Sequence, residues 1–291
     1  MKTKQTIICG FLAVFTAPVF IGCPEDIVRS GTYGDLEYEY RAEKDAITNE
    51  YKDENITITG YTGTGGDVEI PAKIDGKPVT AIGRFAFQNK TLTGVTIPDS
   101  VTSIGQEAFF SNKLTAVTIP GSVNTIGDSA FALNQLTGVT IGGGVTTIEN
   151  GAFYGNKLTG VTIPDSVTRI GNASASGLAN ITGGAFAKNE LTSVTIGSGV
   201  ATIGAYAFAL NQLTGVTIPN SVTYIGEEAF YENQLTSVTI GADVQLKSFT
   251  TSGGITYTAF PGNFVSTYNN GGKRAGTYTR TNASANWSRT N

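Results

Sequence analysis

From Leu92 onward the apolar positions return at a fixed interval. LTGVTIPDSVTSIGQEAFFSNK, LTAVTIPGSVNTIGDSAFALNQ and LTGVTIGGGVTTIENGAFYGNK stand in register. A longer unit from Leu158 to Glu190 follows, then LTSVTIGSGVATIGAYAFALNQ, LTGVTIPNSVTYIGEEAFYENQ and the partial LTSVTIGADV. The period is 22 residues, and the long unit has 33. One such unit cannot bury its apolar face alone, so a period in this range predicts a solenoid in which neighbours stack. Val95 and Ile97 alternate with Gly94, Thr96 and Pro98, as in a strand with one buried face. The segments V-x-x-I-G and A-F complete each turn.

Stacking predicts an internal column of Val95, Val117, Val139, Val161, Val194, Val216 and Val238, about 4.8 Å per step. Phe87, Phe109, Phe131, Phe153, Phe186, Phe208 and Phe230 form another. Each buried Val, Leu, Ile or Phe contributes roughly 1.5 to 3 kcal/mol, so the columns read as core and not as a cofactor site. Asn112, Asn134, Asn156, Asn189, Asn211 and Asn233 recur two residues before each Leu, where a turn feeds the strand. Asparagine tolerates left-handed backbone and bonds to nearby peptide groups, which predicts an internal ladder.

The excess of the long unit is NASASGLANIT, Asn172 to Thr182. Leu178-x-x-Ile181 repeats the spacing of Val167-x-x-Ile170, so either isoleucine can fill the core column while the other segment bulges outward. The stretch holds no charge and no aromatic ring, and is read as a neutral insertion in preference to a recognition loop. Both ends of an array need caps. LEYEYR (36–41) and ITITGY (56–61) alternate like strands and suit the N-terminal end. Phe249, Tyr257, Phe260, Phe264, Tyr268, Tyr278 and Trp287 gather as an aromatic lid at the other end. The expected organisation is a signal segment over 1–22, linker and cap over 23–67, the array over 68–245 with its insertion at 172–182, and a C-terminal cap and tail over 246–291.

Composition narrows the chemistry. The net charge is −4 with pI near 5.0 and no basic run, which argues against nucleic acid. There is no histidine, and both cysteines, Cys9 and Cys23, lie near the N-terminus. That removes histidine-based catalysis and any thiolate cluster in the body. The adjacent acids Glu227-Glu228 and Asp53-Glu54 diverge instead of forming an opposed glycosidase pair. We therefore expect no enzyme, no cofactor and no metal site. Polar side chains at Arg84, Gln106-Glu107, Asp128-Ser129, Glu149-Asn150, Ala205-Tyr206 and Glu227-Glu228 read as a solvated acidic rim, with a basic partner as the alternative.

MKTKQTIICGFLAVFTAPVFIGC has the lysines, apolar run and small-residue end of a secretory signal. Its apolar run is shorter than the ~20 residues a spanning helix needs. FIGC, Phe20 to Cys23, resembles the lipobox of bacterial lipoproteins, and the resemblance implies cleavage before Cys23 and a lipid on its thiol.

LTGVTIPDSVTSIGQEAF resembles the repeat of the treponemal, or BspA-like, leucine-rich repeat proteins of bacterial surfaces. Ile56 to Phe87 is similar to the way those arrays begin, and Phe264 to Arg280 to endings of spirochaetal members. The resemblance implies a leucine-rich repeat solenoid, lipid-anchored to the outer membrane at the cell surface or its periplasmic face. It further implies a protein-binding or adhesion module whose partner is a host matrix or envelope protein. Such repeats bind partners on the inner strand face, here Thr96, Thr118, Thr140, Thr162, Thr195, Thr217 and Thr239. Strand propensity alone also produces a threonine file. A scaffolding role in the envelope is the alternative, and ice binding a remote one, because the threonines make one file and not two.

Overall fold

The structure, a computed structural model, describes residues 27–44, 51–52, 55–172, 183–250, 256–282 and 284–290. The N-terminal end comprises β1 (Ile27–Tyr33), β2 (Leu36–Lys44), β3 (Tyr51–Lys52), β4 (Ile56–Tyr61), β5 (Gly66–Glu69), β6 (Lys73–Ile74) and β7 (Lys77–Ile82). Each array turn then gives one strand from L-x-x-V-x-I and a short one from V-x-x-I. These are β8 (Leu92–Thr96) and β9 (Ser103–Ile104), β10 (Ala116–Ile119) and β11 (Thr125–Ile126), β12 (Gly138–Ile141) and β13 (Thr147–Ile148), and β14 (Gly160–Thr162) and β15 (Arg169–Ile170). After the insertion come β16 (Ser193–Thr195) and β17 (Thr202–Ile203), β18 (Gly215–Thr217) and β19 (Tyr224–Ile225), and β20 (Ser237–Ile240) and β21 (Gln245–Leu246). The C-terminal end adds β22 (Ser248–Thr250), β23 (Thr256–Thr258), α1 (Phe264–Asn270), β24 (Gly276–Thr279) and β25 (Ser288–Thr290).

The short strands form one continuous wall. The sheet order is β1-β2-β4-β7-β9-β11-β13-β15-β17-β19-β21, antiparallel through β1-β2-β4 and parallel thereafter. Its register carries Ile104, Ile126, Ile148, Ile170, Ile203, Ile225 and Leu246 side by side. Ile170 is fully buried and pairs with Ile148 and Ile203, so it fills the core column at the long unit. Leu178 and Ile181 lie outside the described residues, as do Cys23 and the signal segment.

The phenylalanine column is a continuous stack. Phe87 through Phe230 are fully buried, with ring centroids 5.0 to 5.5 Å apart and planes 5° to 16° from parallel. Tyr61 caps it at one end, 5.5 Å from Phe87. At the other end Phe260 stacks 4.7 Å from Phe230. Phe260 with Ala259 is thus an eighth Ala-Phe pair, and the turn beginning at Leu235 closes there after a detour through the β22–β23 hairpin. The ring expected in the lid belongs to the column. Phe264, Tyr268, Tyr278 and Trp287 make the lid, with Phe264 edge-on to Trp287 at 5.1 Å.

Each ladder asparagine is 6–7% exposed and bridges two turns. Asn134 donates through Nδ2 to the carbonyls of Phe109 (2.9 Å) and Phe131 (3.1 Å), and its Oδ1 accepts from the Leu114 N–H (3.1 Å). The left-handed conformation, however, belongs to the residue before it. Ser111, Leu133, Lys188, Leu210 and Glu232 have φ between 49° and 57°, and Gly155 has 67°. The asparagine is selected for its side chain, and its neighbour absorbs the backbone strain.

The C-terminal cap imitates another turn. Arg280 donates through Nε to the Leu235 carbonyl (2.6 Å) and through its backbone N–H to Thr236 (3.0 Å). The Tyr268 hydroxyl accepts from the Val244 N–H (2.9 Å) and donates to the Gly241 carbonyl (2.8 Å). Groups that a further repeat would satisfy are therefore met by the cap.

Replacing Asn156 by Ala strands the Leu136 N–H in the interior and removes one of the two amide donors from each of the Phe131 and Phe153 carbonyls, which keep those of Asn134 and Asn189. Unpaired buried groups cost ~1–3 kcal/mol each. We expect a loss of about 3 kcal/mol in urea unfolding, and a loss below about 0.5 kcal/mol would remove the ladder from its structural role.

Candidate functional site

The predicted threonines do share one face. Thr96, Thr118, Thr140, Thr162, Thr195 and Thr217 are exposed, and Thr239 is half-buried beneath the C-terminal cap. There β24 pairs antiparallel with β20, placing the Thr277 Oγ1 3.0 Å from that of Thr239, and β25 adds Thr290 opposite Thr277. Thr277 and Thr290 extend the face and were not among the residues expected there. The alternation in Gly276-Thr-Tyr-Thr279 was the available signal, with Tyr278 buried between the two threonines.

Unlike the wall of short strands, this face is not one sheet. Thr118 pairs with Thr140, Thr162 with Thr195, and Thr217 with Thr239. No ladder joins β8 to β10, β12 to β14 or β16 to β18. The cause stands one residue after each strand isoleucine, where the series reads Pro120, Gly142, Pro164, Gly197, Pro219, Gly241. Each doublet is a proline turn followed by a glycine turn. A Cβ on Gly142 would lie 2.5 Å from the carbonyl carbon of Pro120 and 2.6 Å from its oxygen, and one on Gly197 would overlap the Pro164 carbonyl. At these two doublets only glycine lets the turns close, whereas a Cβ on Gly241 would meet only Asn220, at 3.2 Å or more. Where the next residue is Pro164 or Pro219, its ring occupies that space and the strands part. The N-terminal doublet β5–β8, with Pro71 and Pro98 at these places, pairs only with a register shift.

The parting is visible in burial. Ile97, Ile141 and Ile196, on the open side of a doublet, are 7%, 8% and 7% exposed, against 1%, 1% and 2% for Ile119, Ile163 and Ile218. Val95, Val139 and Val194 are likewise only partly buried. Two grooves result. One of about 590 Å³ runs between β12 and β14, bounded by Val139, Thr140, Ile141, Thr162 and Pro164. The other, of about 510 Å³, runs between β16 and β18, bounded by Val194, Thr195, Ile196, Thr217 and Pro219. Neither is lined by a charged residue. In a parallel ladder successive residues bond to opposite neighbours, so an open junction leaves the Val139 and Thr162 peptide groups without ladder partners. The grooves offer hydroxyls, peptide groups and a narrow apolar floor.

The rim is only partly the solvated edge expected from its charges. Arg169 stands where other turns carry Ser103, Thr125, Thr147 and Thr202, and Glu149 stands where they carry Gly105, Gly127, Gly171 and Gly204. The Arg169 guanidinium spans both oxygens of Glu149 and also donates to the Asn172 Oδ1, while the Asn172 N–H donates to Asn150 (2.7 Å). The departure point of the insertion is therefore pinned, and Gly183 resumes the turn by accepting from the Gly151 N–H (3.0 Å). Burial, with the neighbouring Glu149 charge, pushes the Asp128 carboxyl up. Glu228, expected on the solvated edge, is 7% exposed. Burial holds its carboxyl above the usual range; a Tyr206 hydrogen bond opposes this and the Glu232 charge adds to it.

Among the described residues, no group of three or more His, Cys, Asp or Glu is placed to hold a metal. No described helix is long and apolar enough to cross a membrane.

A family model described as BspA type leucine rich repeat region matches in six copies, over residues 68–182 and 174–256. Among solved structures, a leucine rich cell surface protein from Faecalibacterium prausnitzii A2-165 is 29% identical, with a TM-score of 0.55 over 78% of this chain and 60% of its own. The Treponema pallidum leucine rich repeat protein is 25% identical, covering 53% of this chain and 83% of its own, with a TM-score of 0.38. A leucine-rich repeat protein from Bacteroides ovatus ATCC 8483 is 20% identical over 77% of this chain and 66% of its own, with a TM-score of 0.40. This chain thus spans 60% of the length of the Faecalibacterium protein. No curated protein matches it.

Two outcomes are expected at the rim. Because the folded-state pKa of Glu228 is raised, its stabilising share is complete below the unfolded value, about 4.3, and is lost as pH rises through the folded value. Glu228→Gln should therefore melt higher than the parent at pH 7, with the difference closing below about pH 4 in a pH series of melting curves. Deleting residues 172–182 joins Gly171 to Gly183 and restores the regular spacing. Its melting temperature should equal or exceed the parent's, since a shorter loop changes closure entropy by less than about 1 kcal/mol. A fall of ten degrees, absent when only residues 173–182 are deleted and the Asn172 hydrogen bonds are kept, would trace to those bonds; a fall in both deletions would show that the deleted stretch carries core contacts.

Proposed function

This chain belongs to the BspA-type leucine-rich repeat family, and from that premise we propose that it is a protein-binding module of a bacterial envelope, held by a lipid on Cys23. The partner is received on the threonine face. The observation that carries this reading is the pair of uncharged grooves at the parted strands, where apolar side chains and unpaired peptide groups lie open together. A segment of partner chain can satisfy those peptide groups and cover Val139 and Val194 in one contact, with the threonine hydroxyls orienting it. Without charge in the grooves, recognition rests on shape and hydrogen bonds, so affinity should depend little on salt. A cell-surface address is supported by the description of the Faecalibacterium protein. A repeat array without a histidine suits binding better than catalysis.

The scaffolding alternative has its own support in the blandness of the face, which lacks the aromatic and arginine anchors of most binding hot spots. Photo-crosslinkers placed at Thr140 and Thr195 in living cells separate the two readings. A discrete adduct from these sites, absent when the crosslinker stands at Lys157 and weakened at least tenfold by adding Thr162→Lys and Thr217→Lys, is expected. Absence of any adduct from the threonine face would overturn the binding reading. Cys23→Ser should abolish fatty-acid labelling and move the protein to the soluble fraction.

A further inference from the structure

The partings of the threonine face recur at a fixed interval. β8 separates from β10, β12 from β14 and β16 from β18, so each parting lies two turns from the next. Stacked strands stand about 4.8 Å apart, which sets successive partings about 10 Å apart. The phenylalanine column beneath, with 5.0 to 5.5 Å per turn, has nearly the same pitch. Every parting is tied at its foot and open beyond. The N–H groups of Lys113, Lys157 and Gln212 donate to the carbonyls of Leu92, Leu136 and Leu191 at 2.8 to 2.9 Å. Inside the doublets the next bond also forms, from the N–H groups of Thr137, Thr192 and Thr236 to the carbonyls of Thr115, Thr159 and Thr214. At the partings the equivalent N–H groups of Thr115, Thr159 and Thr214 have no backbone partner across the junction, and all three residues are exposed. Val95, Val139 and Val194, only partly buried, form the apolar floor.

We propose that the partner segment received on this face is a chain in the polyproline-II conformation, laid along the solenoid axis, with a short apolar side chain at every third residue. This rests on the reading of the threonine face as a protein-binding surface. Period and free peptide groups together select the conformation. A β-strand on the same path returns a side chain to one face every ~6.8 Å, which misses every second parting. An α-helix satisfies its own peptide groups internally and brings no acceptor to the open N–H groups. A polyproline-II helix returns a side chain to one face every three residues, ~9.3 Å, and has no internal hydrogen bonds. Its carbonyls are therefore free to accept from Thr115, Thr159 and Thr214 while its apolar residues cover Val95, Val139 and Val194. About seven residues span the three partings, with the first, fourth and seventh facing inward. No charged and no aromatic residue lines either groove, so a short uncharged side chain such as valine or proline fits, and proline between these positions lowers the ordering cost of binding.

Fluorescently labelled peptides titrated against the purified chain, with anisotropy as the readout, test the period. Three copies of Val-Pro-Ser in tandem place valine at every third residue of a chain that proline holds extended. The same residues reordered so that the valines are adjacent, and an alanine-based helical peptide carrying as many valines, serve as controls. The first peptide should bind about tenfold or more tightly than either control, with little change in affinity between low and high salt. Gly160 and Gly215 line the two grooves. A Cβ would meet only the Ser193 hydroxyl at 3.2 Å from Gly160 and nothing nearer than 3.7 Å from Gly215. Gly160→Val with Gly215→Val should therefore melt with the parent and bind the first peptide about tenfold more weakly. No binding of the first peptide, equal binding of its reordered form, tighter binding of the helical one, or binding indifferent to the two valines would each overturn the proposal. If any of these is found while crosslinkers at Thr140 and Thr195 still yield their adduct in cells, the binding module stands and only the conformation assigned to its partner falls.

Discussion

Each repeat from Leu92 to Gln234 carries a single buried amide on which its stacking hangs, that of its ladder asparagine. The ladder asparagine donates to two phenylalanine carbonyls and accepts from a leucine N–H, drawing on peptide groups from two successive turns. Those groups lie where the chain swings from the Ala-Phe corner into the next strand, too tightly curved for a sheet ladder and too deep for water. An orphaned peptide there would cost more than most side-chain contacts return. Because the amide serves its own turn and the one before, it also fixes their relative height. The stacked phenylalanines and the wall of paired isoleucines follow from that spacing.

A second constraint acts on the opposite side of each turn. Alternation of proline and glycine after the strand isoleucine decides which neighbours close and which part. The wall of short strands carries no such alternation and runs unbroken, so it supplies the rigidity that lets the threonine face open without loss of the fold. Stability and a receptive surface are thus assigned to different strands of the same turn. The ends complete the division. Tyr61 closes the aromatic column at one, while Arg280 and Tyr268 supply the hydrogen bonds of a missing repeat at the other.

The sequence by itself determined the period, the buried columns, the asparagine ladder and the file of threonines, because each of these repeats and repetition turns one-dimensional spacing into stacking. It also carried the Ala259-Phe260 pair and the proline–glycine alternation, which gain meaning only once turns are laid on one another. Tertiary structure alone decided whatever depends on a neighbour's position. It placed Ile170 in the core column, moved the left-handed backbone from the asparagine to the residue before it, and sank Glu228 from an apparently solvated rim into the interior. It also recruited Thr277 and Thr290 from a distant segment to the threonine face. Local pattern reports what a residue prefers, but burial and strand separation are set by the distance to the next turn, and that distance is a property of the stack.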